Sequence, residues 1–204
     1  MTGMFITFEG IDGSGKSTQI SLLKDYLEEN GHHVLLTREP GGTPAGEKIR
    51  NILLDRANVI SDRAEMFLYA ASRAQLVQDV IRPALDCGVT VICDRFLDSS
   101  IAYQAFGRQL GSMVEEINRP AVNGCFPDLT FLLDVPVGTG RKRVTDQAEP
   151  DRLEAEKDVF FQRVRDGYLK IAEREPERMC VLDGSGDVQE IQAEIQRLTM
   201  ERWK

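Results

Sequence analysis

A short motif near the N-terminus constrains the fold of this chain more than any other feature. The apolar run MFITF leads into GIDGSGKS, which matches the pattern G-x-x-x-x-G-K-[ST] with Gly10, Gly15, Lys16 and Ser17 at its defined positions. Apolar residues at helical spacing follow, so the motif lies between a strand and a helix. The sequence therefore predicts a tight, glycine-rich turn between the first strand and the first helix.

This turn has the composition of a phosphate-binding loop. Glycines permit backbone angles by which successive N–H groups point inward, and the start of a helix adds its positive end. Lys16 is placed to contact the β and γ phosphates of a nucleoside triphosphate, and Ser17 to bind Mg²⁺. The predicted binding loop comprises Gly10, Ile11, Asp12, Gly13, Ser14, Gly15, Lys16, Ser17 and Thr18. The alternative is an ordinary strand-to-helix turn with a capping serine, and the loop leaves open what accepts a phosphoryl group.

Five short apolar runs alternate with segments of helical period. The runs occupy residues 4–8, 33–37, 89–93, 129–135 and 179–183, and helices are predicted at 15–30, 44–54, 61–86, 98–106, 112–123, 155–175 and 187–202. Short strands that are apolar on both sides indicate a parallel sheet covered by helices on both faces. We predict an α/β, three-layer P-loop NTPase fold with a five-stranded parallel sheet, in a single domain over residues 1–204.

The composition argues against several classes of protein. The chain has 25 Lys and Arg against 33 Asp and Glu, a formal net charge of −8, which disfavours a broad nucleic-acid footprint. No apolar run approaches the ~18 residues of a membrane span, and no secretory signal is recognisable. The four cysteines show no C-x-x-C pairing that would indicate a zinc or redox site. We expect a cytoplasmic protein without nucleic-acid or membrane partners, in which a local basic cluster holds any anionic substrate.

Two charged residues, Asp94 and Arg95, end the third apolar run in the segment VICDRF. They fall at the carboxyl edge, where doubly wound sheets bind ligands. Asp94 is suited to orient Mg²⁺ or its water, and Arg95 to hold a second phosphate. An Asp after a strand can equally be the cap of the next helix.

A third candidate site lies in the long helix predicted at 61–86. Tyr69 and Arg73 are four residues apart, so the ring and the guanidinium share one face of the helix. This pair could stack on a base and donate to its carbonyl oxygen. The alternative is an aromatic ring packed in the core beside an arginine whose head group reaches solvent.

Two further segments carry arginines. In LTREPGGT the second strand runs into a turn, with Arg50 on the helix beyond it as a possible phosphate ligand, although Pro-Gly-Gly is first of all a turn sequence. The segment 140–152 is charged and poor in apolar residues, and we interpret it as a lid. Its arginines, Arg141, Arg143 and Arg152, could stabilise a transferred phosphoryl group, or the charges could simply form a solvated surface.

Together, the segments FEGIDGSGKST, TREPGGT, YAASRAQ, CDRFLDSSIAYQ, DRLE and DGSG resemble the bacterial thymidylate kinases, P-loop nucleoside monophosphate kinases. The resemblance extends in order over nearly the whole chain, and TREPGGT with the DRF…SS.AYQ segment is more diagnostic than the loop motif. It implies transfer of the γ-phosphoryl group of ATP to dTMP with Mg²⁺, giving ADP and dTDP for dTTP biosynthesis. It also implies a homodimer formed through the 61–86 helix and a short mobile lid at about 140–153.

The resemblance implies roles for single residues at the nucleobase. Tyr69 would stack on thymine and Arg73 would bond its carbonyl oxygen, while Ser100 and Gln104 would face the edge of the base. Tyr103 would lie beneath the sugar, where a 2′-hydroxyl would project, and would favour deoxyribose. The segment DGSG at 183–186 resembles the loop on the adenine side.

The resemblance also implies roles around the phosphates. Arg50 and Arg95 would hold the phosphate of dTMP, and Glu9, Asp12 and Asp94 would lie near the metal, its waters or the sugar hydroxyl. The implied substrate-binding set is Glu9, Asp12, Arg38, Pro40, Arg50, Tyr69, Arg73, Arg95, Ser99, Ser100, Tyr103 and Gln104. The implied metal ligands are Ser17 and Asp94.

The catalytic arginine is expected to come from the lid, because Gly13 and Ser14 follow Asp12 where some relatives carry an arginine. Relatives of the bacterial subtype commonly have RGELDR in the lid, whereas this chain has QAEPDR with Gln147 in place of an arginine. Which of Arg143 and Arg152 acts is left open. The catalytic set is predicted as Lys16, Asp94, Arg95, Arg143 and Arg152.

Functions of two other classes compete with a kinase. A regulatory GTPase would need a guanine-reading N-K-x-D motif after a strand, and the sequence contains none. A binding module that keeps the fold without turnover would not need Lys16, Ser17 and Asp94, which are all present.

Overall fold

The computed structural model describes residues 3–145 and 151–203, with the side chains of residues 144 and 145 left out. Five strands form one sheet in the order β2-β3-β1-β4-β5, and every neighbouring pair is parallel. The strands are β1 (Phe5–Glu9), β2 (Val34–Arg38), β3 (Thr90–Asp94), β4 (Leu129–Asp134) and β5 (Met179–Asp183). The predicted five-stranded parallel sheet is confirmed, and each strand end lies within one residue of its prediction.

Helices surround the sheet. They are α1 (Lys16–Glu29), α2 (Pro44–Leu54), α3 (Asp62–Leu76), α4 (Arg82–Asp86), α5 (Leu97–Ser100), α6 (Met113–Val122), α7 (Val137–Thr145), α8 (Asp158–Arg174) and α9 (Val188–Arg202). A π-helical segment, Val77–Ile81, joins α3 to α4 just before Pro83, so the predicted long helix continues through a wider turn next to the residue that lacks an N–H group. A second π-helical segment, Ile101–Gly107, extends α5.

The core has two parts, one on each face of the sheet, because successive side chains of a strand point to opposite faces. On one face Ile6 and Phe8 of β1 pack against Leu23 of α1 and Ile195 of α9. On the other face Phe5 belongs to a larger cluster whose members come from the remaining helices and loops, among them Leu76, Ile81, Phe96, Ile101, Phe160, Val164 and Tyr168. The sheet is therefore held rigidly, and its carboxyl edge carries the loops described below.

Helix α7 was not among the sequence predictions, which treated its second half as part of the lid. Glycines in the segment VGTGRKRVT disfavour a helix. The structure shows what one of them does: a Cβ atom added to Gly140 would lie 2.7 Å from the carbonyl oxygen of Asp12, so α7 can pack directly on the phosphate loop only with glycine there. Gln147 and its neighbours at 146–150 lie outside the described residues.

Within the described ranges, no helix combines the length and the apolar character that crossing a bilayer requires.

Candidate active site

The predicted phosphate loop occupies the turn between β1 and α1. Gly10, Gly13 and Gly15 have φ values of 135°, 77° and 99°, which side-chain-bearing residues rarely adopt. At Gly10 space is limiting as well, since a Cβ atom would lie 2.5 Å from the carbonyl oxygen of Leu133. Ile11 is buried in the core, so its side chain serves packing and only its backbone can serve a ligand.

Lys16 folds back onto the loop. Its Nζ donates to the carbonyl oxygens of Gly10 and Ile11, both at 3.0 Å, and the residue is only 6% exposed. Burial lowers the pKa of Lys16 to about 8, with repulsion from Arg95 as the second cause. The ammonium group is thus still largely protonated at neutral pH and is already directed into the loop.

An open depression, which we call the loop cleft, runs along this turn. The side of the cleft near the sheet includes Asp94, at the end of β3, and the start of α1 contributes Ser17 and Thr18, both exposed. Arg38 also lines the cleft and pairs with Glu47 at 3.0 Å. The predicted loop residues from Asp12 to Thr18 are therefore accessible from one side.

Asp94 has the features of a metal-site residue. Its Oδ1 is buried and has no hydrogen-bond partner among the described residues. The helix-cap alternative does not hold, because Phe96 is the residue before α5 and no side chain caps that helix. A carboxylate oxygen left free in the same cleft as the exposed hydroxyl of Ser17 fits Mg²⁺, which usually binds through one or two protein oxygens, substrate phosphates and water. Within the described parts of the chain no three His, Cys, Asp or Glu side chains group together as in a metal site made by protein alone.

Arg95 connects the loop cleft to a second space. Its φ of 68° is unusual for a residue with a side chain, a conformation found preferentially at functional sites. Its Nη2 donates to Asp12 Oδ1 at 2.7 Å, and its Nη1 to the carbonyl oxygen of Gly10 at 2.9 Å and to Ser99 Oγ at 3.2 Å. Burial acts to raise the pKa of Asp12, but Arg95 and Lys16 outweigh it, so this pKa is lowered and the carboxylate stays charged.

The second space, which we call the inner cavity, has a volume of about 100 Å³ and lies between α2, α3 and the segment from β3 to Gln104. Ten of the twelve predicted substrate-binding residues line it: Asp12, Pro40, Arg50, Tyr69, Arg73, Arg95, Ser99, Ser100, Tyr103 and Gln104. The fold thus brings together side chains from four separate sequence motifs.

Arg73 lies in the wall of the inner cavity and is only 1% exposed. Its Nη1 donates to Ser100 Oγ at 3.0 Å and its Nη2 to the carbonyl oxygen of Phe96 at 2.9 Å, and it also contacts Glu39 and Asn118. The guanidinium therefore does not reach solvent, which rules out the alternative of an arginine whose head group extends from the core to the surface. It is fixed in place by a complete set of acceptors around its two terminal nitrogens.

Several buried polar atoms at this cavity lack a partner among the described residues. They are Glu39 Oε1, Arg73 Nε, Tyr103 Oη and Gln104 Oε1. Buried polar groups are nearly always hydrogen-bonded in folded proteins, so these four atoms on residues that line one cavity leave hydrogen-bonding capacity there for a polar ligand or for water.

Glu9 lies behind the lining of the two spaces rather than in it. It is fully buried, belongs to the lining of neither space, and accepts hydrogen bonds from Phe96 N at 2.8 Å, Ser99 Oγ at 2.6 Å and Tyr168 Oη at 3.0 Å. Burial, assisted by Asp98, raises the pKa of Glu9 to about 7. Glu9 is connected to Arg95 through Ser99, whose Oγ donates to Glu9 and accepts from Arg95.

The two lid arginines that were predicted to be catalytic, Arg143 and Arg152, occupy different places. Arg143 lines the loop cleft, and its Nη1 donates to the carbonyl oxygens of Gly13 at 3.0 Å and Gly184 at 3.2 Å. Arg152 points elsewhere, with Nε donating to Leu53 O at 2.7 Å and Nη2 to Glu65 Oε2 at 2.6 Å. Only Arg143 is next to the loop that would hold a triphosphate.

Comparison with known proteins identifies the family. A family model described as thymidylate kinase matches residues 8–195. The chain belongs to the thymidylate kinase family. It is 49% identical over 208 residues to the thymidylate kinase of Geotalea uraniireducens, which covers 98% of both chains, and 52% identical over 196 residues to that of Geobacter sp. (strain M21), which covers 92% of this chain and 87% of the relative.

A solved structure supports the same assignment. The crystal structure of thymidylate kinase from Ehrlichia chaffeensis has a TM-score of 0.80 and 36% sequence identity, covering 98% of this chain and 99% of the other. The resemblance inferred from the sequence motifs is thereby confirmed for the thymidylate kinase family.

Three buried residues of this thymidylate kinase fold escaped the sequence analysis. Glu39 contacts Arg73, and burial raises the pKa of Glu39 to about 7 even though Arg73 acts to lower it. Asn118 also contacts Arg73, and Glu65 binds Gln104. The sequence pointed to one of these three residues at most, because Glu39 lies within the TREPGGT segment. Nothing local in a sequence distinguishes a buried acid from one on the surface.

Proposed function

We propose that this chain transfers the γ-phosphoryl group of ATP to dTMP, giving ADP and dTDP, a step of dTTP synthesis. The observation that carries this function is the junction of the two spaces: Asp12, Glu39, Arg50 and Arg95 belong to the walls of both the loop cleft and the inner cavity. Two nucleotides bound in these spaces meet with their phosphates at the arginines.

The chemistry needs position and charge more than covalent participation of the protein. The attacking group is a phosphate oxygen of dTMP that is already ionised, so no general base is required. Lys16 and the loop amides would hold the phosphates of ATP, while Arg50 and Arg95 would hold that of dTMP. The side chain of Arg50 is already held in place by a hydrogen bond, since its Nη1 donates to the carbonyl oxygen of Pro40 at 2.9 Å.

Ser17 and Asp94 would hold Mg²⁺ with the donor phosphates, and the ion would neutralise charge that develops on the β and γ phosphoryl oxygens. The free, buried Oδ1 of Asp94 supports this assignment. Arg143 supplies further positive charge from the lid side of the same cleft.

At the other end of the inner cavity, Tyr69 would stack on thymine while Arg73, Ser100 and Gln104 face polar atoms of the base. Tyr103 lines the same cavity, where its ring would pack against the deoxyribose at the place a 2′-hydroxyl would occupy. The half-buried position of Tyr69 on α3 leaves its ring available for stacking.

We also propose that the protein acts in the cytoplasm as a homodimer, with ATP and dTMP as its small-molecule partners and no nucleic-acid or membrane partner. All four cysteines are free thiols, which fits a reducing compartment. An exposed stripe on α3 with Phe67, Ala71 and Ala74 supports pairing through that helix.

The function is tested by ADP release from ATP and Mg²⁺ with a panel of acceptors: dTMP, UMP, CMP and AMP. We expect kcat/KM for dTMP to exceed the values for the other three by at least ~100-fold, because the buried polar atoms of the inner cavity discriminate among bases. An enzyme with an equal rate for UMP or AMP, or one that releases ADP without any acceptor, would contradict dTMP as the substrate.

A further inference from the structure

Glu65, in the first turn of α3, is a fully buried carboxylate with four hydrogen bonds from three side chains. Its Oε1 accepts from Gln104 Nε2 at 2.9 Å and from Arg108 Nε at 3.3 Å. Its Oε2 accepts from Arg108 Nη2 at 3.1 Å and from Arg152 Nη2 at 2.6 Å. Glu65 itself does not line the inner cavity, whereas Gln104 does.

The charge of Glu65 determines which way the Gln104 amide points. Two guanidinium groups stabilise the carboxylate, and although burial acts to raise the pKa of Glu65, Arg108 and the other donors outweigh it, so this pKa is lowered. An ionised carboxylate can only accept hydrogen bonds. Gln104 must therefore turn its NH₂ group toward Glu65, and its carbonyl oxygen Oε1 is left buried without a partner among the described side chains and backbone groups.

We propose that Glu65 is a positioning residue that holds Gln104 as a hydrogen-bond acceptor toward the nucleobase and so selects pyrimidines with an N–H at ring position 3 over those with a bare ring nitrogen. Thymine and uracil have this N–H group, and cytosine has an acceptor there. This inference rests on the proposed function, because it concerns the base of the dTMP acceptor. Glu65 acts through Gln104 and touches no substrate atom.

The expected size of the selection follows from the cost of an unmade hydrogen bond. Cytosine would bring a ring nitrogen lone pair against a carbonyl oxygen that cannot rotate away, and both groups would remain unsatisfied in a buried site. Without Glu65 the amide can turn over and offer its NH₂ group to that ring nitrogen. Removing the carboxylate should therefore lower discrimination against cytosine more than it lowers activity toward thymine.

The test is the ratio of kcat/KM for dTMP to that for dCMP in Glu65→Gln, with dUMP as a third substrate. We expect the dTMP to dCMP ratio to fall by about 10-fold to 100-fold. The dTMP to dUMP ratio should stay within about 3-fold of the wild-type value, since these two bases have the same N3–H group and differ only in the methyl group at C5.

Glu156→Gln is the matched control. It removes the charge of another partner of Arg108 but leaves Glu65, its two arginines and its bond to Gln104 in place, and we expect the wild-type dTMP to dCMP ratio. In a Gln104→Met background, adding Glu65→Gln should change this ratio by less than about 2-fold, because a residue that acts through Gln104 has nothing left to position.

Thermal unfolding is recorded first for each variant. If Glu65→Gln does not fold, Glu65→Asp carries the test, because its shorter side chain keeps the charge near Arg108 and Arg152 but withdraws from Gln104; the same fall in the ratio is expected. An unchanged ratio in the folded variant, or an equal effect of Glu65→Gln with and without Gln104, overturns the proposal. A wild-type enzyme that does not phosphorylate dTMP at all would instead contradict the proposed function.

Discussion

The ammonium group of Lys16 is oriented by its own loop, because the carbonyl oxygens of Gly10 and Ile11 accept from it. These acceptors offset part of the cost of removing the charge from water. A triphosphate would be a stronger acceptor in the same place, since hydrogen bonds between two charged groups are the stronger kind. The lysine therefore needs little rearrangement when the nucleotide arrives.

Replacing Lys16 with alanine should lower kcat at least ~100-fold while the protein stays folded, because a fixed positive charge near the transferred group is lost. Steady-state ADP release and the circular dichroism spectrum measure the two quantities. Lys24→Ala is a control on the same helix, where the lysine pairs with Glu28 at the surface at 2.5 Å and should not affect turnover. A Lys16→Ala enzyme with a near-normal rate would remove Lys16 from catalysis.

Glu9 should make the stability of the protein depend on pH. Its pKa is 4.5 as a free side chain and about 7 in the folded protein, so the folded state binds more protons between these values. The contribution of Glu9 to the unfolding free energy is then complete below about pH 4.5, falls as the pH rises to about 7, and is constant above. The total change should be at most about 3 kcal/mol.

Urea unfolding of the wild type and of Glu9→Gln at several pH values measures this effect. The difference in unfolding free energy between the two proteins should decrease toward higher pH across that window, because glutamine does not titrate. Glu39, whose pKa is also raised to about 7, contributes equally to both proteins and cancels in the difference. Parallel curves for the two proteins would mean that Glu9 titrates as it does in the unfolded chain.

At the scale of elements, α7 is joined to the phosphate loop by two glycines. A Cβ atom on Gly13 would lie 2.2 Å from the carbonyl oxygen of Gly140, and the reverse contact to Asp12 is also too short for a side chain. This close approach places Arg143, one turn further along α7, over the loop. Arg152, the second lid arginine that was predicted to be catalytic, is hydrogen-bonded to α2 and α3 instead.

We therefore expect different effects from replacing the two lid arginines. Arg143→Ala should lower kcat by about 100-fold or more, because it removes positive charge beside the transferred phosphoryl group. Arg152→Ala should change kcat by less than about 10-fold but lower the melting temperature, because it leaves the buried Glu65 with one guanidinium fewer.

Rapid-quench measurement of the chemical step and thermal unfolding distinguish the two roles. Arg143→Lys should retain part of the kcat that Arg143→Ala loses, since the positive charge at this position matters more than the planar, two-pronged shape of the guanidinium group. A larger loss of kcat in Arg152→Ala than in Arg143→Ala would reverse the assignment and make Arg152 the catalytic arginine.

At the scale of the whole molecule, the exposed face of α3 is the best candidate for contact with a second copy of the chain. Phe67 is 52% exposed, and Ala71, Ala74 and Gln78 continue the same stripe at helical spacing without a charged residue. Apolar rings at the surface beside small residues are typical of subunit interfaces.

Phe67→Glu should therefore convert a dimer into a monomer, because it places a charge in the centre of the proposed interface. Light scattering coupled to size-exclusion chromatography gives the mass directly. Val159→Glu is the control, since Val159 is 66% exposed on α8 and its replacement should leave the mass unchanged. A wild-type protein with the mass of one chain would exclude the proposed homodimer.

The strands, the phosphate loop and the helices other than α7 were predictable from local patterns. Short apolar runs bounded by turn residues indicate the strands, and apolar residues at helical spacing over a longer segment indicate the helices. The positive φ values of Gly10, Gly13 and Gly15 are required by the loop itself. Helix α7 escaped prediction because its stability comes from packing on the loop, which overrides the poor helix propensity of its glycines.

The environment of the charged groups depends on tertiary structure instead. Glu9 receives hydrogen bonds from residues 90 and 159 positions further along the chain, and Glu65 and Arg152 are 87 positions apart. Burial and pKa are properties of the packed molecule, because desolvation and Coulomb interactions depend on distance in space, which the order of residues does not display. Spacing along the chain thus accounts for the phosphate loop and the sheet, whereas only the folded arrangement reveals which carboxylates orient Arg73, Arg95 and Gln104.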